Sequence, residues 1–460
     1  MSRPATSKRL LSHSLALYLA VLGAASMAYY HQGLFIPRSN AMLEARGLGN
    51  GYSFGNDFYQ IWLASRLWFF ARIDPYSPEM TRDIQIGLYG RPLDPNRPAD
   101  LKDRRIFPYP AFAEILFWPA ALFPFTVVRV AVLGLLIPAT VATVLVWMRA
   151  LSWHLQWPFL LITLLLVLCS YPALEGFYAG QVGLLAGFLF AASILSIQQG
   201  RLLQSGVLLG LTTIKPQVIV LAALYLLAWT AYDWRKRRSF CVGFVGTVLL
   251  LVGGAFVIWP HWISSWLHVV VMYRGYTGPP LVQELLTTMG LGSAATPTIV
   301  VTAACIAVAL TLAWQNRSAT SNSLAFWWTL GTLLAITVIA LLPRQAVYDH
   351  GILLPGIFLI VLFRHELSSN AIRKALLYFG LCILLWPWFA SEGLVLLRPL
   401  MSSNEFYSKG IFSLPLRTAA VFPFVVLGLL TLLRPSKLSA AAWSDSTFAE
   451  VDKTLTMSSR

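Results

Sequence analysis

The chain has 460 residues, of which 57% are hydrophobic and 12% charged, and it carries a formal net charge of +15. A charged fraction about half that of soluble domains, together with recurring apolar runs of about 20 residues, excludes a soluble globular protein. The basic residues sit mostly in short loops between apolar runs and act as topology signals and contacts to anionic lipid, which excludes nucleic-acid binding as the source of the charge.

In hydrocarbon the backbone satisfies its hydrogen bonds only in helices or closed barrels, and these runs lack the two-residue alternation of a barrel. The expected class is an all-α polytopic membrane protein. The four cysteines, Cys169, Cys241, Cys305 and Cys382, are far apart and lie mostly in apolar runs. They form neither a disulfide framework nor a zinc pattern.

Arg3, Lys8 and Arg9 precede an apolar run from Leu10 to about Tyr29. That core is longer than a signal peptide's and lacks a good cleavage site, so it reads as an uncleaved first span with its N-terminus in the cytoplasm. A large extracytoplasmic loop follows, over about residues 32–125. It contains Gly55-Asn56-Asp57, which opens the helical run Phe58–Phe70, and then the turn Asp74-Pro75-Tyr76. Phe58, Trp62, Trp68 and Phe69 suggest that this helix lies along the membrane interface. Ser77-Pro78-Glu79 starts another helix, with serine as cap and proline in the first turn. After the charged run Arg91–Arg105, Phe107-Pro108-Tyr109-Pro110 leads into Ala111–Phe123, which is too short to span and reads as re-entrant or interfacial.

Further spans are expected at about 127–148, 156–172, 180–198, 202–214, 216–233, 240–259, 296–314, 323–342, 347–363, 375–395 and 413–433. With the first this makes about twelve transmembrane helices. The cluster Arg235-Lys236-Arg237-Arg238 faces the cytoplasm only if residues 202–233 form two segments hinged at Lys215-Pro216, where proline breaks a helix. On that count Asp57, Glu175–Gln181, Lys215 and Pro343–His350 share the outer face. A further outer loop, His261–Gly290, offers Trp262, Trp266 and Tyr273 as interface anchors. One membrane domain is expected over residues 1–433, followed by a disordered cytoplasmic tail at 434–460.

Asp57 has two readings: an N-cap or first-turn acid favoured by backbone amides and the helix dipole, or a partly desolvated carboxylate suited to proton abstraction. Glu175 and Gln181 are either loop-edge groups or polar groups held at membrane depth for a function. Lys215, between two apolar runs, either snorkels to the interface or pairs with a phosphate. Arg344, Tyr348, Asp349 and His350 cluster before an apolar run, either as a loop that simply bears charges or with Arg344 and His350 holding an anionic leaving group. The chain has no D-x-D pair, no Walker sequence, no H-E-x-x-H and no nucleophile-elbow serine, which disfavours ordinary nucleotide chemistry.

Taken in order, these elements resemble glycosyltransferase family 87, polyprenol-phosphate-mannose-dependent mannosyltransferases of the GT-C fold. Asp57-Phe58-Tyr59 with Asp74-Pro75-Tyr76 resembles the family's opening motif, and Phe107–Pro110 with Pro119 and Pro124 its second. Gly180-Gln181 resembles the third, Gly206–Gly210 leading to Lys215-Pro216-Gln217 the fourth, and Gln283-Glu284-Leu285-Leu286 a late juxtamembrane motif. Tyr348-Asp349-His350 with Pro355 resembles an aromatic-x-histidine element. Glu284 stands where the family tends to have serine, and Asp349 where histidine is common.

The resemblance implies a GT-C-like bundle whose first loop carries interfacial helices. It implies Asp57 as general base and His350 as a catalytic residue at the donor phosphate, with no cofactor and no metal. Lys215 and Arg344 are then the expected phosphate contacts, and Tyr109, Glu175, Gln181, Gln283, Tyr348 and Asp349 the substrate contacts. The expected reaction is inverting transfer of a sugar, mannose on the resemblance, from a polyprenyl phosphate to a hydroxyl of a glycolipid, glycan or protein. The expected place is the outer face of the cell membrane. The rival reading from another class is a secondary transporter or flippase, which also suits a broken helix with polar residues at depth.

Overall fold

The structure is a computed structural model that describes residues 5–49, 52–275, 278–290 and 295–434. Most of the expected tail at 434–460, and parts of the expected loop His261–Gly290, lie outside the described residues. Among the described residues the fold is helical, with one isolated bridge between Pro280 and Pro343.

Helix α1 (Ala5–Tyr29) runs through a π-helical turn, Tyr30–Phe35, into α2 (Ile36–Glu44). The first loop then folds as α3 (Asn56–Ala71), α4 (Pro78–Tyr89) and α5 (Phe112–Phe117), the last extended by a 3-10 turn over Trp118–Leu122. The Ser77 hydroxyl caps α4 by accepting from Met80 N at 3.1 Å, and Asp74 Oδ1 accepts from Tyr76 N at 2.8 Å to close the preceding turn.

The bundle continues with α6 (Phe125–Ala150), then α7 (Trp157–Leu168) and α8 (Tyr171–Ala179), a pair bent by 55°. Next come α9 (Val182–Gln198), α10 (Leu202–Leu211), α11 (Val220–Tyr232) and α12 (Trp234–Ile258). After α13 (Trp262–Arg274) and α14 (Leu281–Thr288) follow α15 (Ala295–Gln315) and α16 (Leu324–Leu341). A 3-10 segment, Val347–Leu353, opens α17 (Leu354–Leu362), and the single turn α18 (Arg364–Leu367) precedes α19 (Ala371–Leu397). Helices α20 (Ser403–Ser408) and α21 (Leu414–Leu432) complete the described chain.

Each of the twelve segments expected to span is occupied by helix. Six helices among the described residues are long and apolar enough to cross a bilayer, and the bent α7–α8 pair makes a possible seventh span. Helices α9, α10, α11 and α17 are apolar but shorter. The main core forms around α16, whose residues from Phe326 to Ala340 are all buried.

Lys215 is delivered by a tight helix crossing. A Cβ at Gly206 would lie 2.1 Å from Phe240 O, and one at Gly243 would lie 2.3 Å from Leu203 O, so the backbones of α10 and α12 touch. Two 3-10 turns, Thr212–Ile214 and Pro216–Val218, then flank Lys215, as the proline break requires.

Three of the aromatic residues expected at the membrane interface are instead buried, while Trp62 and Phe69 keep part of their surface. Phe58 and Trp68 are buried, packing edge-on against Phe117 and Trp259, and Trp262 is buried against Phe112. These rings build a second core beneath the first loop, where α5 and Trp259 at the end of α12 cover Phe58 and Trp68 while Phe70 stays exposed.

Within that core Glu114 is buried and its Oε1 has no partner. Burial first, and the Asp74 carboxylate second, push its carboxyl well above the usual range. A carboxyl raised in the folded state stabilises the fold fully below its unfolded pKa, and that stability is lost as pH rises toward the folded one. Above about pH 4.5 the protein should therefore lose about 1.4 kcal/mol per pH unit until Glu114 itself ionises. Thermal unfolding of Glu114→Gln should lack this component and show a higher midpoint than wild type at neutral pH.

Candidate active site

Helix α3 starts at Gly55 with φ of +84°, a conformation glycine adopts freely, and Gly55 N donates to Tyr178 O at 2.7 Å. The end of α8 therefore pins the start of α3. Gly180, at φ +72°, turns the chain from α8 into α9, and a Cβ there would lie 2.9 Å from the Phe58 Cβ. These two close approaches bring Gln181, the first residue after the turn, against Asp57.

The Asp57 carboxylate accepts from Arg105 Nη1 at 2.6 Å on Oδ1 and from the Gln181 amide on Oδ2. Gln181 Oε1 accepts from Lys215 Nζ at 3.0 Å, and Lys215 donates onward to Asp349 Oδ1 at 2.7 Å. The Lys215 ammonium also lies 4.5 Å from the centre of the Tyr348 ring. The Gln181 amide has one consistent orientation, since Asp57 only accepts and Lys215 only donates. Five side chains from distant parts of the chain thus form one line: Arg105, Asp57, Gln181, Lys215, Asp349. Its charges alternate and cancel, which is how buried charges are tolerated.

Asp57 is the acid in the first turn of α3, with Gly55 at the cap position, and its carboxylate oxygens go to Arg105 and Gln181. Arg105 itself sits at φ +51° and donates to Tyr89 Oη at 3.2 Å. Tyr109 lies beside the line, buried. Burial, then the Asp57 charge, push its phenol well above the ordinary tyrosine value and keep it a proton donor. Its segment is held by Tyr76 Oη donating to Tyr109 O at 2.9 Å and Trp266 Nε1 donating to Pro108 O at 3.0 Å.

The other expected residues lie outside this line. Glu175 binds His31 Nε2 at 2.9 Å and accepts from the Tyr52 hydroxyl, while Tyr178 Oη donates to Tyr52 O at 2.8 Å. This clamp fixes the chain just before Gly55 and makes Glu175 a support of the site. Arg344 pairs with Glu284 at 2.6 Å near the surface, and Gln283 is on the same helix, α14. His350 Nδ1 donates to Ala419 O at 3.2 Å. In this 3-10 segment Asp349 pairs with Lys215, the Tyr348 ring lies beside the same ammonium, and His350 turns away to Ala419 O.

Sequence reasoning missed Arg105, which sits in a charged run where no local signal distinguishes it. It also missed His31, Tyr52 and Gly183. A Cβ at Gly183 would lie 2.2 Å from Asp349 Oδ1 and 3.0 Å from Lys215 Nζ. Gly183→Ala should therefore force the ion pair apart and cost about 1–3 kcal/mol in unfolding experiments, as overpacking does. Gly187→Ala on the same helix, with nothing within 4 Å of the new Cβ, should stay near wild type.

A helical, multispanning membrane protein with a charge-balanced acid–amide–lysine line at the junction of its first loop and its bundle is what fold and site define. The profile of glycosyltransferase family 87 matches residues 107–342, and the chain belongs to that family. No curated protein and no solved structure matches it. The chain is thus a membrane glycosyltransferase, with a sugar donor and an acceptor as its substrates. The matched stretch contains Gln181 and Lys215. The hydrogen bonds described above tie both to Asp57 and Asp349, which lie outside it.

Proposed function

We propose that this glycosyltransferase moves a sugar, mannose, from a polyprenyl-phosphate carrier to a hydroxyl acceptor, with Asp57 as general base and inversion at the anomeric carbon. The observation that carries the reading is the Asp57 carboxylate itself. It is fixed on one oxygen by Arg105 and on the other by Gln181, yet its side chain remains 13% exposed. A carboxylate has about four lone-pair sites, so two hydrogen bonds leave room for an acceptor hydroxyl. Arg105 holds the group oriented before the substrate arrives.

The chemistry asks for little else. As the acceptor oxygen attacks the anomeric carbon, its proton passes to Asp57. The bond to the phosphate oxygen breaks, and the electron pair leaves with a phosphate that is already a stable anion. No protein acid is needed, only donors near the phosphate. Arg344, half exposed and paired with Glu284, which is one-third exposed, exchanges that carboxylate for phosphate. Lys215, 6% exposed and bonded twice, holds Gln181 in register instead. Tyr109 and Tyr348 are the substrate-facing aromatics.

The topology we propose is the twelve-span one, with this site on the outer face of the cell membrane. The acceptor is a glycolipid, glycan or protein carried on that face. Nucleotide sugars are not available there, which is why a lipid carrier serves as donor.

The test is a donor panel with the purified chain in proteoliposomes. Label should move to an acceptor from polyprenyl-phosphate mannose and not from a nucleotide-linked mannose. Transfer from the nucleotide donor alone would overturn the reading.

A further inference from the structure

Two stretches far apart in the sequence are tied together at one end of the bundle. Trp229 Nε1, near the end of α11, donates to Ala319 O at 2.8 Å, and Tyr225 Oη donates to Asn316 O at 3.3 Å. These bonds hold the chain just beyond α15 against α11. The Arg317 guanidinium is thereby set 4.0 Å from the centre of the Trp314 ring and 5.7 Å from that of Tyr232, the last residue of α11. Two residues on, α12 opens with Trp234-Arg235-Lys236-Arg237-Arg238.

Arg237 is committed to the fold: its Nη1 donates to Trp229 O at 2.6 Å, and its guanidinium lies 3.8 Å from the centre of that ring. The other cations are not. Arg235, Lys236 and Arg238 are exposed, and among the described residues Arg235, Arg238 and Arg317 pair with no carboxylate. The acid beside them, Asp233, is 3.8 Å from Lys236. Tyr232, Trp234 and Trp314 are each more than half exposed, and rings of this kind sit at the level of lipid headgroups. From here α12 and α15, the least buried of the six long apolar helices, run on with open apolar faces that include Val242, Leu249 and Val308.

Any basic loop is drawn to an anionic leaflet, and orientation in the membrane asks only for charge on one side. Neither requires Arg317 to be held beside the start of α12, nor three aromatic rings to be left open around the cations. Guanidinium forks match phosphate oxygens in pairs, and the apolar faces continue from these cations as a lipid's chains continue from its phosphate. We infer that the ends of α11, α12 and α15 form a binding site for one anionic phospholipid, its phosphate held by Arg317 and the cations that open α12, its chains along α12 and α15. The site shares no residue with the Asp57 line and does not rest on the transfer reading.

The probe is phosphatidylglycerol carrying a diazirine on one acyl chain, photolysed with the full chain in phosphatidylcholine nanodiscs. Peptide mass spectrometry should place saturable label on residues 242–250 and 304–314. Unlabelled phosphatidylglycerol should compete at least about tenfold better than phosphatidylcholine, and glycerol phosphate, a free head without chains, should not compete. Arg317→Gln and Arg238→Gln should each raise the half-saturating probe concentration about fivefold, the ratio that one cation beside an anionic surface contributes. Lys374→Gln, which removes an exposed cation on α19, should leave it unchanged, and all three variants should keep the wild-type thermal midpoint. Equal competition by phosphatidylcholine would overturn the inference. So would a loss of labelling as large for Lys374→Gln as for Arg317→Gln, which a diffuse basic surface gives, or competition by glycerol phosphate, which a site for a soluble phosphate ester gives. The readout is binding, so failure of Asp57 as a base would leave it standing.

Discussion

Replacing Asp57 by asparagine is expected to lower kcat by about 10²–10⁴-fold, the range that a positioned general base contributes. The substitution keeps the side chain's size and its Oδ1 acceptor for Arg105. It removes the proton acceptor and also sets an amide N–H against the Gln181 N–H that now donates to Oδ2. Donor KM should change little, because the phosphate contacts are elsewhere. Asp57→Glu, which keeps a base but moves it, should recover part of the rate. The check is steady-state transfer with donor and acceptor varied separately, on protein whose thermal midpoint is within a few degrees of wild type. A kcat for Asp57→Asn equal to wild type would remove Asp57 from the chemistry.

Replacing Lys215 by methionine is expected to be the most destabilising single change in the site. Asp349, 2% exposed, would be left buried without its partner. Breaking a buried pair from one side costs about 3–5 kcal/mol. A typical domain has only about 5–15 kcal/mol to lose. The double variant Lys215→Met with Asp349→Leu should recover most of that loss, since apolar replacement of a whole buried pair is often neutral. Transfer should not return with it, because Gln181 loses the donor that orients its amide toward Asp57. Equilibrium unfolding in mixed micelles reads the cycle. A double variant as unstable as the sum of the singles would mean that the pair is not coupled.

Much of the frame is legible in the residues themselves. Apolar run lengths locate the long helices, six of which among the described residues are long and apolar enough to span, Ser77-Pro78 announces its own cap, and Lys215-Pro216 announces the break beside the lysine. The site is legible in part. Asp57, Gln181, Lys215 and Asp349 stand out because a polar group in apolar surroundings needs a reason, and the structure places all four in one line.

What local sequence does not carry is pairing at a distance. Arg105 reaches Asp57 across 48 residues, and its neighbours in the charged run are chemically equivalent to it. The Tyr348–His350 stretch marks a site without saying which side chain turns toward it, since that depends on whether the segment is α or 3-10. Aromatic residues mislead for a related reason. Trp68 and Trp262 suit an interface by composition, but the fold of the first loop covers them.

The central claim is direct displacement at the anomeric carbon by an acceptor deprotonated at Asp57. Its most direct test is the configuration of the new glycosidic bond, read by NMR on product from a single turnover of the reconstituted protein with polyprenyl-phosphate mannose. One displacement predicts a bond of configuration opposite to the donor's. Retention would require a covalent glycosyl intermediate on a second nucleophile and would contradict the account.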